Sequence, residues 1–369
     1  MNKNDYKQSA YYLFYLIRCV LKNKIPTLDK IEKMNLSQIY SVAKAHSLTA
    51  IAAYALESAG ITDERFRQAK GKSMRKNATM DIERERIFAE FEKSGIWYMP
   101  LKGIILQCLY PEYGMRQMCD NDILYDKAYS NELRKIMSEL GYTTPKIHTG
   151  HDIIFHKEPV CNFEMHYALF SESKDNCFCD YYSNIKRLLH KVDGKEYEYS
   201  FSDEDFYIYI TAHEYKHFSK GGTGLRSLVD TYVLVKYYYD KLDKAYINNE
   251  LSKLGIAEYE FKQRNLALKL FDGIQLSIEE KELLDYYIFS GTYGTIENSV
   301  NNSADDSLYS KVKYLRKRLF LPMLQIKNVY PFFYKYKIFI PILYLYRIGL
   351  MLTKSRKRVI SEIKTLLKI

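Results

Sequence analysis

Residues 96–126 read IWYMPLKGIILQCLYPEYGMRQMCDNDILYD, and this stretch decides the predicted fold. A short apolar run ends in a proline, and Lys102 and Gly103 then open a helix-like segment. Asp120 and Asp122 stand at the start of a second apolar run. Because successive residues of a strand face opposite sides, these two aspartates project from the same face if the second run is a strand.

These residues also predict a chemistry. Two carboxylates this close repel each other unless a cation lies between them, and hard oxygen ligands suit Mg²⁺ or Mn²⁺. A glycine turn that opens a helix offers backbone N–H groups and the positive end of the helix dipole to phosphate. Lys102 and Arg116 add positive charge to the same place. Together they predict a site for a metal-bound nucleoside triphosphate (NTP).

The arrangement resembles the nucleotidyltransferase superfamily that includes DNA polymerase beta, and more specifically its bacterial family labelled "uncharacterised nucleotidyltransferase". The motifs that carry the resemblance are Leu101-Lys102-Gly103, Tyr110-Pro111, Arg116, Asp120-Asn121-Asp122, His166, the helical block 213–230 and the segment 291–294. The resemblance implies an α+β fold, in which a polymerase-beta-like core of a small mixed sheet with flanking helices lies between helical N-terminal and C-terminal regions. It also implies transfer of a nucleoside monophosphate from an NTP to a hydroxyl group, with release of pyrophosphate.

In this superfamily a third carboxylate lies on a later strand, where it binds metal and helps to deprotonate the attacking hydroxyl. Two strand-like runs, 151–156 and 160–170, follow a predicted helix that ends at Gly141. In the second run Glu164 and His166 share one face, so Glu164 is the candidate third ligand and base beside Asp120 and Asp122. His166 is expected to contact the nucleotide or to orient Glu164. A solvent-exposed glutamate on an edge strand is the alternative.

One residue departs from the family pattern. Members usually carry Gly-Ser or Gly-Gly in the turn, whereas Gly103 is followed here by Ile104, which has no hydroxyl for a phosphate. Lys102 would replace that contact as a point charge. A catalytically degenerate nucleotide-binding module is therefore a second interpretation, against which the three acidic residues argue.

The stretch His213-Glu214-Tyr215-Lys216-His217 fits the His-Glu-x-x-His pattern of zinc metalloproteases, so a zinc hydrolase is a third interpretation. The charged Lys216 and the absence of a third ligand at the usual spacing argue against it. The resemblance implies instead a substrate-side role for this region, with His213 or His217 near the acceptor, Arg226 near phosphate and Asp230 as a further substrate-side residue. Simple packing of this helix on the core also remains open.

The length of 369 residues allows two or three units. We expect a helical N-terminal region (1–95), a nucleotidyltransferase core (96–200), a helical domain facing the cleft (201–310) and a basic, aromatic-rich helical tail (311–369). Within these regions we expect one helix over 37–57, a long helix over 63–93, helices from 203 to 290 and a flexible loop over 298–307.

The positive charge belongs to the tail. Residues 311–369 contain fifteen Lys or Arg and one acidic residue, a net +14, whereas the whole chain carries +10, so residues 1–310 carry −4. The tail either packs on the domain or forms an amphipathic surface for an anionic membrane or nucleic acid. Its longest apolar run is interrupted by Pro341 and Arg347, which argues against a transmembrane helix.

The N-terminus lacks a secretory pattern and the six cysteines are scattered, which predicts a cytoplasmic protein, with peripheral attachment at the inner membrane face as a further possibility. The acceptor could be an RNA end, a protein, a sugar or another small molecule. The sequence selects neither among these acceptors nor among oligomeric states.

Overall fold

The computed structural model describes residues 1–144, 152–170, 176–292, 294–303, 307–353 and 356–368. Its N-terminal region is helical, as expected. The helices are α1 (Lys3–Leu21), α2 (Leu28–Ile31), α3 (Leu36–Ala45), α4 (Thr49–Ser58) and α5 (Glu64–Ser94). The long charged helix α5 begins after Asp63, whose side chain accepts a hydrogen bond from the Arg65 N–H, and ends at Gly95 in the left-handed conformation.

A small mixed sheet follows α5. Its strands, in spatial order, are β1 (Tyr98–Pro100), β2 (Asn121–Tyr125), β4 (Cys161–His166) and β3 (Asp152–Lys157). The central strands β2 and β4 run parallel, and each pairs with an antiparallel edge strand. The one-turn helix α6 (Gly103–Leu106) and a 3-10 turn (Gln107–Leu109) precede β2, and α7 (Ser130–Glu139) follows it. The predicted α+β class, with a small sheet and flanking helices, is confirmed; His151 lies outside the described residues.

The rest of the chain is mostly helical. After the sheet come α8 (Asn176–Tyr181), a hairpin of β5 (His190–Lys191) and β6 (Tyr199–Ser200), α9 (Asp203–Gly221), α10 (Leu225–Tyr238), α11 (Lys244–Lys253), α12 (Ala257–Asp272), α13 (Ile278–Ser290) and α14 (Ile296–Asn301). The tail contains α15 (Leu308–Leu319), α16 (Met323–Val329), α17 (Pro331–Lys335), α18 (Ile340–Thr353) and α19 (Arg356–Lys368). None of the described helices combines the length and the apolar character that a bilayer crossing requires.

The two faces of the sheet have different neighbours. On one face Ile123 and Met165 pack with apolar residues of α5 and α7 in one buried cluster. On the other face Leu124 joins residues of α9, α10 and α11 in a second buried cluster. Since Asp122 and Leu124 alternate with Ile123, the acidic side chain of Asp122 faces α9. This alternation places the polar groups of the sheet between β2 and α9.

Two predicted elements differ from the structure. The helix expected over 37–57 is divided into α3 and α4, because Ser47 adopts a positive φ of 56°. The buried imidazole of His46 stabilises this break: its Nδ1 accepts a hydrogen bond from the Leu225 N–H, and its Nε2 lies 3.1 Å from the carbonyl oxygen of Ile288. The loop expected over 298–307 begins inside helix α14; residues 304–306 lie outside the described part.

Candidate active site

The parallel strands β2 and β4 bring two acidic side chains side by side. Asp122 and Glu164 are direct partners in the strand register, so both project from the face that points towards α9. His166 lies two residues beyond Glu164 on the same face. Asp120 immediately precedes β2 and lines the same cavity, which has a volume of about 350 Å³. The structure therefore gathers all three predicted acidic residues around one cavity.

Three of these side chains could hold a metal ion. Asp122, Glu164 and His166 each offer a ligand atom, and these atoms all lie within 4.8 Å of one another. In the described part of the chain this is the one such group of three or more His, Cys, Asp or Glu. Asp120 lies outside it, and His166, which we expected to contact nucleotide or orient Glu164, is a member. The two carboxylates suit Mg²⁺ or Mn²⁺, whereas the imidazole favours a transition metal such as Mn²⁺ over Mg²⁺.

The acidic cluster has a shortage of positive charge. Burial and the neighbouring carboxylates of Asp122 and Asp120 raise the pKa of Glu164 to about 7. Burial and the charge of Asp122 also raise the pKa of Asp120 above its usual value. For Asp122, burial is outweighed by the nearby cationic groups, chiefly Lys102, so its pKa lies below the usual range. One carboxylate is thus ionised while its neighbours resist ionisation, which is the electrostatic condition that a divalent cation relieves.

Lys102 supplies the nearest cation. Its Nζ donates a hydrogen bond of 2.6 Å to Asp122 Oδ1, the same oxygen that lies 2.8 Å from His166 Nε2. Burial alone would lower the lysine pKa, but the charge of Asp122 outweighs burial and the pKa is raised. Lys102 adopts a positive backbone φ of 48°, which residues other than glycine rarely do. Its position beside the acids therefore depends on a strained turn.

Gly103 is required by close packing in this turn. A Cβ atom at Gly103 would lie 2.7 Å from Arg116 Nη1 and 2.9 Å from Met118 Cε. The predicted residues Lys102, Gly103 and Arg116 are therefore neighbours in space. Ile104 packs into the buried cluster between the sheet and α5, and it offers no hydroxyl group to the cavity.

Arg116 is held from behind by Asp230. Its Nε and Nη2 donate to the two carboxylate oxygens at 2.8 and 3.0 Å, and the Tyr110 hydroxyl donates to the same carboxylate at 2.7 Å. All three side chains are buried. Nε and one N–H of Nη2 are thus occupied, so the donors left for a phosphate are the second N–H of Nη2 and Nη1, which lies near Gly103 and Met118 Sδ. Asp230, predicted on the substrate side, lies behind Arg116, whereas Arg226 of the same helix α10 lines the cavity.

Helix α9 forms the opposite wall of the cavity. Its His213 and His217 line the cavity, with their Nε2 atoms 3.2 Å apart, a contact that requires one nitrogen to carry a proton and the other to accept it. Burial and the charge of Lys102 lower the pKa of His213 well below its usual value. The His-Glu-x-x-His motif contributes no member to the metal-compatible group described above.

Some residues of the cavity region were not predicted as part of the sheet-side site. Asp152 lines the cavity from β3, where it pairs in register with His166. Tyr209 is fully buried on α9, its hydroxyl has no hydrogen-bond partner among the described residues, and its ring lies 6.2 Å from that of His213. The one-turn spacing of Tyr209 and His213 was a signal in the sequence for a shared helix face. No sequence signal indicated Asp152, because its position beside His166 depends on strand pairing.

The fold and the cavity define an α+β protein with an acidic, metal-compatible site between a small sheet and a helical wall. The chain belongs to the family described as "Uncharacterised nucleotidyltransferase", whose sequence model matches residues 32–272. The match covers the lysine-glycine turn, the acidic strands and both helices of the opposite wall. No curated protein and no solved structure matches the chain.

Proposed function

We propose that this protein is a metal-dependent nucleotidyltransferase that moves a nucleoside monophosphate from an NTP to a hydroxyl acceptor. The observation that carries the proposal is the register pairing of Asp122 with Glu164 on the cavity face, beside Lys102 and Gly103 of the β1–α6 turn. Family membership supports the transferase class. The strand order, with the Asp-x-Asp strand beside the strand of the third acid, further supports a polymerase-beta-like core.

In the proposed reaction an acceptor oxygen attacks the α-phosphorus of the NTP. The bond from that phosphorus to the oxygen bridging to the β-phosphate breaks, and pyrophosphate leaves with the electron pair. We assign the acceptor proton to Glu164, the acidic residue paired in register with Asp122. Asp122 and Glu164 would hold Mg²⁺ or Mn²⁺, with His166 or Asp120 as a third ligand, and the metal would offset the negative charge of the triphosphate.

The basic residues and the histidines divide between the two sides of the cavity. Lys102 lies in the β1–α6 turn, and Arg116 Nη1 faces this turn. We place the triphosphate there. His213, His217 and Arg226 lie across the cavity on α9 and α10, where we place the acceptor within the helical domain 201–310. The acceptor is a molecule with a free hydroxyl, such as an RNA end, a protein side chain or a sugar.

A nucleotide-binding module without catalysis is the second candidate, and two observations favour it. The ammonium group of Lys102 already occupies Asp122 Oδ1, and Ile104 leaves the turn without a hydroxyl. In that case the protein would bind an NTP but transfer nothing from it.

The decisive experiment compares α-labelled and γ-labelled NTPs, incubated with Mg²⁺ or Mn²⁺ and a lysate of the source organism. Nucleotidyl transfer moves the α-label to an acceptor and releases the γ-label in pyrophosphate. Asp122→Asn should lower transfer by about two orders of magnitude or more, since charge neutralisation at the triphosphate contributes several kcal/mol. Asp240→Asn is the matched control, because the Asp240 side chain is fully exposed on the surface.

Three results would contradict the proposal. NTP binding without movement of either label would favour the degenerate module. Transfer of the γ-label would indicate a phosphotransferase. Stoichiometric zinc that is lost on His213→Ala would favour a hydrolase using His213, Glu214 and His217.

A further inference from the structure

The tail carries an exposed apolar helix face. Ile338, Ile342, Leu345 and Tyr346 are 82 %, 55 %, 69 % and 54 % exposed. Their spacing of four, three and one residues places them on one side of α18 and the turn before it. Leu343, on the other side of α18, is fully buried, so the helix is anchored through one side and presents the opposite side outwards. We call these four side chains the α18 face.

Aromatic side chains extend this surface. Phe332, Tyr336 and Phe339 are 57 %, 45 % and 40 % exposed, and the rings of Phe332 and Phe339 are stacked with centroids 6.0 Å apart. Single exposed apolar residues are ordinary on a protein surface, but a contiguous set marks an interaction site. The combination of aliphatic and aromatic side chains suits the boundary between lipid headgroups and acyl chains.

The charge around the α18 face is positive. Glu362 is the one acidic residue of 311–369, and its buried carboxylate accepts hydrogen bonds from Arg318 and Arg358. The segment as a whole carries a net charge of +14. Lys335 and Lys337 are exposed beside Tyr336, directly before the α18 face. An anionic partner complements this distribution.

We propose that the α18 face is a peripheral docking surface for an anionic lipid bilayer. The apolar side chains enter the headgroup–acyl boundary in the plane of the membrane, while the basic side chains contact lipid phosphates. Nucleic acid would match the charge alone, because exposed isoleucine and leucine gain nothing against a phosphate backbone. This surface is separate from the proposed active site, so either proposal can fail without the other.

Vesicle flotation of the full-length protein tests the surface. The vesicles contain either phosphatidylcholine alone or phosphatidylcholine mixed with phosphatidylglycerol. We expect binding to the anionic vesicles, with a strong dependence on salt. Ile342→Glu should lower the partition coefficient by about tenfold or more, since it removes an apolar side chain that enters the bilayer and adds a charge that anionic lipids repel.

Ile82→Glu is the matched control. Ile82 lies in the middle of helix α5 and is 58 % exposed, close to the 55 % of Ile342, so the two variants make the same chemical change at the same exposure. Ile82→Glu should bind vesicles as the unaltered protein does. Unchanged thermal unfolding midpoints establish that both variants fold.

Several results would overturn the proposal. One is vesicle binding that Ile342→Glu leaves unchanged, or that Ile82→Glu weakens equally. Another is binding to a mixed-sequence single-stranded RNA without binding to anionic vesicles. A third is a dimer, measured by light scattering, that Ile342→Glu dissociates while neither protein floats with vesicles, since a second copy of the chain would then cover this face.

Discussion

At the scale of single residues, Asp122 interacts with most of the titratable groups on the sheet side of the cavity. Its Oδ1 is contacted by both Lys102 and His166, and its charge is a cause of the raised pKa values of Glu164 and Asp120. Glu164 is thus close to half protonated at neutral pH before a cation arrives. A bound proton and a bound metal compete for this carboxylate, so metal binding is linked to pH.

We predict that Mg²⁺ or Mn²⁺ affinity falls as the pH drops through about 7, because protonated Glu164 gives up its negative charge. The sign follows from the raised pKa: the carboxylate is neutral below this value and ionised above it. Calorimetric titration at about pH 6 and about pH 8 measures the difference. Glu164→Gln should weaken binding and remove most of the pH dependence.

Glu214 provides the matched control for this prediction. It lines the same cavity from α9, and burial, with the charge of Asp230, raises its pKa to about 7 as well. Glu214→Gln should leave the pH dependence in place. If Glu214→Gln abolished it and Glu164→Gln did not, the metal would lie on the helical wall, as a zinc hydrolase requires.

At the scale of elements, the turn between β1 and α6 aims the basic groups at the acidic strands. Lys102 occupies a strained backbone conformation there, and Gly103 lets the Arg116 guanidinium approach the backbone. Arg116 cannot easily move aside, because Asp230 and Tyr110 hold it in a buried network. The turn, the approach to β2 and α10 therefore depend on one another.

Gly103→Ala should destabilise the protein by about 1–3 kcal/mol, the usual cost of overpacking a buried site. Gly349→Ala is the control, since a Cβ there meets no atom of the described residues within 4 Å and alanine favours the helix. Urea unfolding compares the two variants. Equal stability of the Gly103→Ala variant and the unaltered protein would indicate that Arg116 relaxes away from the turn at no cost.

At the scale of the whole molecule, the two walls of the cavity share one buried cluster, and each wall is also backed by a second cluster of its own. One wall belongs to the sheet backed by α5 and α7, and the other to α9 and α10, whose residues also join the core of the N-terminal helices. The Arg116–Asp230 ion pair, between residues 114 positions apart in the chain, connects the approach to β2 with α10. It contributes both to the stability of the fold and to the position of the helical wall.

Arg116→Met should lower the free energy of unfolding by about 3–5 kcal/mol, because it leaves the Asp230 carboxylate buried without its partner. Adding Asp230→Leu to this variant should recover part of the loss. The control is Arg67→Met: Arg67 pairs with Glu64 on the exposed face of α5, where an ion pair contributes about 0–1 kcal/mol. Similar losses for the Arg116 and Arg67 variants in denaturant titrations would contradict this account.

The sequence alone determined the features that depend on neighbours along the chain. Strand alternation assigned Asp122 opposite to Ile123, and put Glu164 and His166 on one face. The helices expected from 203 begin with α9 at Asp203, where the Ser202 side chain accepts a hydrogen bond from the Asp205 N–H. These features follow from backbone geometry over a few residues, so they can be predicted without knowledge of the tertiary structure.

Tertiary structure alone decided which of these groups meet. Asp122 and His166 are 44 positions apart, and their contact exists because β2 and β4 pair in parallel at one particular register. Tertiary contacts also place Asp152 beside His166 and Asp230 behind Arg116. They likewise account for the break, at His46 and Ser47, of the helix predicted over 37–57. Strand pairing and helix packing are set by burial of apolar surface across the whole chain, and no local pattern encodes them.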